Sequence, residues 1–185
     1  MQKKKKILLA GAGALLILLF LGRKPIKRKI MNKISDSQKL DFINKLLPSA
    51  QKIGKDIGVP PFFILAQICL ESAFGRSELT SKYFNFGGIK AVGNQPSKKY
   101  LTTECKAGVC KKVYQNFAIY PNVEAGLKAQ SKIYQNRYFK QHLNKTKNPI
   151  QYAKLLQSGT PKYATALNYV SAIEGTLKDI NRLLT

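Results

Sequence analysis

The stretch Pro60 to Ala73, Pro-Pro-Phe-Phe-Ile-Leu-Ala-Gln-Ile-Cys-Leu-Glu-Ser-Ala, restricts the fold more than any other part of the chain. Proline at a helix start has its backbone angle preset and lacks only a donor that the first turn leaves unpaired, so Pro60 and Pro61 predict a helix over Phe62 to Ala73. Its side chains are apolar on nearly every face, so the helix should be central and covered by protein on most sides. The rest of the domain therefore has to wrap this one segment. Glu71 stands inside it with Gln67, Ile68, Phe74 and Gly75 three and four positions away and Ile64 further back, so no Lys or Arg pairs with it locally. A carboxylate on an apolar stripe is expensive to ionise and suited to donate a proton. The competing reading is a carboxylate at a helix end that reaches solvent or a distant Arg.

On the N-terminal side, Leu40, Ile43, Leu46 and Leu47 recur at helical spacing and predict an amphipathic helix ended by Pro48, then a short helix from Ser49 to Ile57 closed by Gly58. From Lys99 to Phe117 the pattern changes. Tyr100, Leu101, Thr102 and Thr103 lead into Lys106-Ala107-Gly108, and Val109, Val113, Tyr114 and Phe117 follow, which predicts a hairpin turning near Gly108. Helical spacing returns after Pro121, after Asn148-Pro149, and from about Ala166 to Leu184. Helices, one hairpin, then helices predict a small α+β domain, mainly helical, over residues 36–185.

Residues 1–33 hold ten of the 32 basic residues and none of the nine acidic ones. A basic start at 1–6 precedes sixteen residues without a charge, Ile7 to Gly22, about 24 Å as a helix. Lys6 and Arg23 can snorkel to extend that toward the ~30 Å of a bilayer core. With no small-x-small cleavage site after Leu21, residues 7–22 are expected to be a transmembrane signal anchor rather than a cleaved signal peptide, and 23–35 a basic linker. The formal charge of +23 calls for a polyanionic partner: nucleic acid, anionic lipid or a wall polymer. The lysines are scattered and no nucleic-acid motif appears, so no nucleic acid is expected. Three Cys and one His lack the paired spacing of a zinc site, and neither metal nor cofactor is expected. Cys105 and Cys110 flank the hairpin turn symmetrically, so a disulfide is expected there, as suits an extracytoplasmic domain. Cys69 reads as an inert core thiol and His142, on a polar stretch, as a solvated side chain.

Taken together, Ile64-Leu65-Ala66-Gln67, Glu71-Ser72-Ala73-Phe74-Gly75 and Asn85-Phe86-Gly87-Gly88-Ile89-Lys90 resemble the glucosaminidase domain of bacterial autolysins and flagellar peptidoglycan hydrolases, glycoside hydrolase family 73. The likeness continues through Thr102-Thr103-Glu104, Phe117-Ala118-Ile119-Tyr120 and Tyr163-Ala164-Thr165 to Tyr169, covering roughly residues 40 to 184. It implies a lysozyme-like fold with a small β-hairpin lobe, and an endo-β-N-acetylglucosaminidase that cleaves the β-1,4 bond on the N-acetylglucosaminyl side of peptidoglycan glycan strands. By the same resemblance Glu71 is the general acid, Glu104 the candidate base on the hairpin, and Tyr169 a tyrosine that assists. Phe74, Asn85, Phe86, Gly88, Lys90 and Tyr163 are then substrate-binding residues. Phe74 stands where the family commonly has Trp, and Ala166-Leu167 where it usually has Asp-Pro, which loosens the match at Tyr169. Two alternatives stay open: a membrane-tethered cell-wall-binding module that does not cut, and a muramidase or lytic transglycosylase on the same fold. The expected location is membrane-anchored with the catalytic domain extracytoplasmic.

Overall fold

The computed structural model describes residues 34–106, 109–160, 163 and 167–185, with the side chains of residues 104–106, 109 and 110 outside the description. The expected anchor at 7–22, the basic start at 1–6, most of the 23–35 linker and the turn residue Gly108 lie outside the described residues. Among the described residues no helix is long and apolar enough to cross a membrane.

The first helix, α1, runs from Asp36 to Ile57 without a break, so the expected division at Pro48 is corrected. A proline inside a helix removes one hydrogen bond and crowds the carbonyl four residues earlier. Here Pro48 and Asn44 both lie on the exposed side, where that carbonyl can turn to water. The buried stripe Ile43, Leu46, Ala50 and Gly54 continues past the proline on the other side and keeps the helix whole. Ser35 and Gln38 close the N-terminus with a reciprocal capping box, and Gly58, at φ 71°, ends the helix in the left-handed region.

Helix α2, Pro61–Ser72, is the central element that the sequence calls for: Phe63, Ile64, Leu65, Ala66, Gln67, Ile68, Cys69 and Ser72 are all buried. It packs against α1, against α6 (Pro149–Ser158) and against the C-terminal α7 (Tyr169–Leu184). Close approach to α1 depends on Gly54, whose missing Cβ would sit 2.6 Å from the Val59 carbonyl and 2.8 Å from the Pro61 ring. Helix α7 turns Tyr169, Ile173, Thr176, Leu177 and Ile180 inward at helical spacing. Its other end is tied to the start of α1 by a bidentate Arg182–Asp36 pair at 2.8 and 3.1 Å.

A short helix α3 (Glu78–Ser81) leads to a loop and then to the hairpin, β1 (Ser97–Lys106) and β2 (Val109–Ala118), paired antiparallel from Ser97↔Ala118 to Lys106↔Val109. Side chains alternate across it as the period of two requires. Thr102 and Phe117 are buried, whereas Leu101 and its cross-strand partner Tyr114 are exposed. Helices α4 (Val123–Ile133) and α5 (Arg137–Lys140) follow. Asn122 and Asn148, the residues before α4 and α6, accept backbone N–H groups at the helix starts. His142, expected in solvent, is buried at 8% exposure. Its ring lies where a side chain at position 159 would be, so Gly159 makes room for it.

Candidate active site

Helix α2 ends abruptly one residue after Glu71. Ala73 and Phe74 both adopt φ 51° and Gly75 φ 81°, a left-handed run that disfavours Cβ-bearing residues. A local hydrogen-bond set holds it. The Phe74 N–H donates to the Cys69 carbonyl at 2.8 Å, the Ser72 hydroxyl donates to the Ile68 carbonyl at 2.7 Å, and the Gly75 N–H donates to Ser72 Oγ at 2.9 Å. Gly75 presses against the Phe42 ring, 2.5 Å from where its Cβ would be. The chain thus leaves the helix axis at once, and Glu71 stands on the last turn, half-buried, on the wall of a cleft of about 210 Å³.

The other walls come from Ser77 to Thr80 at α3, from Asn85, Phe86 and Gly88 in the following loop, and from Tyr100, Leu101, Thr102 and Phe117 on the hairpin. Central helix and hairpin therefore face one another across a groove. Asn85 joins the loop to the hairpin base: its amide nitrogen donates to the carbonyls of Ile89 and Ala118, both at 2.8 Å, and its amide oxygen accepts from the Ile89 N–H at 2.8 Å. With its amide bonded on both sides to main chain, Asn85 shapes the cleft wall. Phe86 reaches the cleft from the core with 3% exposure, and Gly88, at φ 60°, turns the loop beside it. Lys90 is half-buried and pairs with Phe117 through an isolated bridge that extends the hairpin base.

Phe74 is brought elsewhere. Its ring is 3% exposed, packed in the core with Lys39 Nζ 5.2 Å from its centroid, and does not line the cleft. Tyr163 and Tyr169 also lie inward, in an aromatic cluster behind Glu71: their rings are 6.1 Å apart, and Tyr163 packs on Phe139 at 4.4 Å. Burial pushes both phenols well above their ordinary range, Tyr169 through Tyr134 and Glu71 as well, and Tyr163 through Tyr169 and Glu71 as well. That shift favours the protonated phenol, which can donate a hydrogen bond.

Glu104 is two residues past Thr102 on β1 and opposite Lys111, and Cys105 is directly opposite Cys110. The side chains of Glu104, Cys105 and Cys110 lie outside the described residues, as do Ala164 and Thr165. Among the cleft residues not named as site residues from sequence are Glu78 and Tyr100. Glu78 lines the cleft with its carboxyl held below the usual range by the Lys82 ammonium 3.0 Å away. Its only local sign is the Ser77-Glu78 pair of a helix start. Tyr100 faces it from the hairpin, its phenol pushed up to about 12 by burial and by the neighbouring Glu78.

The glucosaminidase family, described as mannosyl-glycoprotein endo-beta-N-acetylglucosaminidase, matches this chain over residues 47–182. The peptidoglycan hydrolase FlgJ of Escherichia coli K12 is 36% identical over 85 residues, 43% of this chain and 27% of FlgJ. A Lactococcus lactis protein described as a probable N-acetylmuramidase is 26% identical over 145 residues, 76% of this chain and 33% of that protein. This chain therefore spans about a quarter to a third of the length of these relatives. The catalytic domain of the Listeria monocytogenes autolysin Auto superposes with a TM-score of 0.69 at 26% identity, covering 85% of this chain and 93% of that domain. The mainly helical fold with one small two-stranded sheet is the fold of that domain.

Proposed function

The chain belongs to the glucosaminidase family, and on that premise we propose that it is a peptidoglycan hydrolase that cuts the β-1,4 bond on the N-acetylglucosaminyl side with Glu71 as general acid. One observation carries this reading: Glu71 is set by the abrupt end of the buried helix α2 into a cleft whose opposite wall is the hairpin. Glycoside cleavage needs a proton for the leaving oxygen on one side of the bond and a second group that helps attack at the anomeric carbon. Glu71 supplies the first. Glu104 is proposed for the second because it stands on β1 two positions after Thr102, a cleft residue. Tyr169 and Tyr163, held neutral, stabilise the Glu71 carboxylate once its proton has gone. Phe86 and Gly88 shape the wall against which a sugar ring rests, and Lys90 braces the hairpin base.

The likeness to the Lactococcus lactis protein favours a second reading, cleavage on the muramyl side by the same carboxyl group. We further propose that residues 7–22 anchor the protein in a membrane with the catalytic domain extracytoplasmic, and that Cys105 and Cys110 are oxidised to a disulfide.

The test is a digest of purified peptidoglycan by the full chain in detergent, as wild type and as Glu71→Gln, with the new reducing ends identified by mass spectrometry. The expected result is N-acetylglucosamine ends, reduced at least about 100-fold in the variant, as loss of a general acid requires. Muramic or anhydromuramic ends would move the assignment to the second reading. A folded wild type that sediments with the wall and releases nothing would make it a binding module.

A further inference from the structure

We propose that Gln67 is a positioning residue for the reaction, its amide holding the Tyr163 hydroxyl so that the phenol donates its hydrogen to the Glu71 carboxylate. The inference rests on the reading of Glu71 as the acid. Gln67 lies one helical turn before Glu71 on α2, and residues four apart share a helix face. It is 2% exposed, and its Nε2 donates to Tyr163 Oη at 2.8 Å across 96 residues of sequence. A phenol that accepts on its oxygen keeps its single hydrogen for another acceptor, and the carboxylate one turn along the same helix face is the acceptor assigned here. The ring cannot swing away. Phe139 and Tyr169 pack on it, and the Tyr163 N–H donates to the Leu156 carbonyl at 2.9 Å.

A packing role does not account for Gln67. The other buried positions through this part of α2 are Phe63, Ile64, Leu65, Ala66, Ile68 and Cys69. Gln67 Oε1 is buried with no hydrogen-bond partner among the described residues, a cost that Leu or Met in its place would avoid. When Glu71 releases its proton to the leaving oxygen, the new carboxylate is partly screened from water, and a donor fixed in advance stabilises it without reorganisation.

The experiment measures kcat and KM across pH for the full chain on solubilised glycan strands, for wild type, Gln67→Met, Gln67→Glu, Tyr163→Phe and the Gln67→Met/Tyr163→Phe double variant. Gln67→Met keeps the volume and removes the donor. We expect kcat to fall about tenfold, the worth of one buried hydrogen bond, with KM little changed and the basic limb of the pH profile moved upward. Gln67→Glu accepts from Tyr163 and draws its hydrogen away from Glu71, so it should lose at least as much. Because Gln67 acts through Tyr163, the double variant should be no slower than Tyr163→Phe alone. Unchanged kcat and pH limb in folded Gln67→Met, or losses that multiply in the double variant, would overturn the proposal. Should Gln67→Met fail to fold, Gln67→Glu and Tyr163→Phe decide it by the same pH limb. Glu71→Gln is run alongside: if it is inactive while the Gln67 variants behave as wild type, only this inference fails. If Glu71→Gln cleaves normally, the reading of Glu71 as the acid fails as well.

Discussion

Replacing Asn85 tests whether the hairpin is held to the domain by one side chain. Asn85→Ala removes three hydrogen bonds of 2.8 Å, two donated to the carbonyls of Ile89 and Ala118 and one accepted from the Ile89 N–H. The Ile89 carbonyl keeps a second partner, the Ala118 N–H at 2.9 Å, so its loss is partial. At about 1 kcal/mol for each bond, with a further penalty where a buried group is orphaned, the total is about 2–4 kcal/mol. For a domain of this size that corresponds to a fall of about 5–15 °C in Tm, measured by circular dichroism. Asn85→Asp is the sharper arm. It preserves shape and the acceptor, but places a carboxylate where two carbonyls require a donor, so it should cost at least as much as Ala. Amide exchange should also rise at Ala91 and Ala118, whose N–H groups bond the Asn116 and Ile89 carbonyls at the hairpin base. An Asn85→Asp protein with wild-type Tm and exchange would refute the account of Asn85 as a clasp.

His142 gives a pH dependence with a definite sign. Burial, with Lys145 nearby, lowers its proton affinity in the folded state, so the unfolded chain takes up the proton first, near pH 6.5. Its contribution is constant above about pH 6.5 and is lost progressively as pH falls toward the lowered folded value; His142→Gln should flatten that part of a Tm–pH curve. Thiol titration of the denatured, unreduced chain should count one free thiol if Cys105 and Cys110 are joined, whereas three would exclude the disulfide. In the native state Cys69, buried and with its thiol pushed far above the ordinary range, should not react at all.

Much of the fold is legible because its causes are local. Pro60-Pro61 starts α2, the run after it is apolar all round, and burial on most sides follows. Helical spacing resumes after Pro121 and Asn148-Pro149, and α4 and α6 start there, capped by Asn122 and Asn148 through bonds made within three residues. The alternation from Tyr100 to Phe117 yields a hairpin whose register brings Cys105 opposite Cys110. Pro48 shows where a local rule is outweighed: its penalty falls on the solvent side, while the buried stripe on the opposite face spans both halves of α1. Phe74, alike from sequence to a stacking residue beside the acid, is turned into the core by the left-handed run after Glu71.

The sequence alone determined which segment must be central, where several of the longer helices begin, and that a carboxyl group sits near the end of the most buried one. Tertiary structure decided what surrounds that carboxyl group. Gln67 and Tyr163 meet across 96 residues, and Asn85 reaches Ala118 across 33. No periodicity records such pairs. Periodicity reports which side of an element avoids water, whereas hydrogen-bond partners and electrostatic neighbours depend on how separate elements pack, which is settled only when the whole core forms.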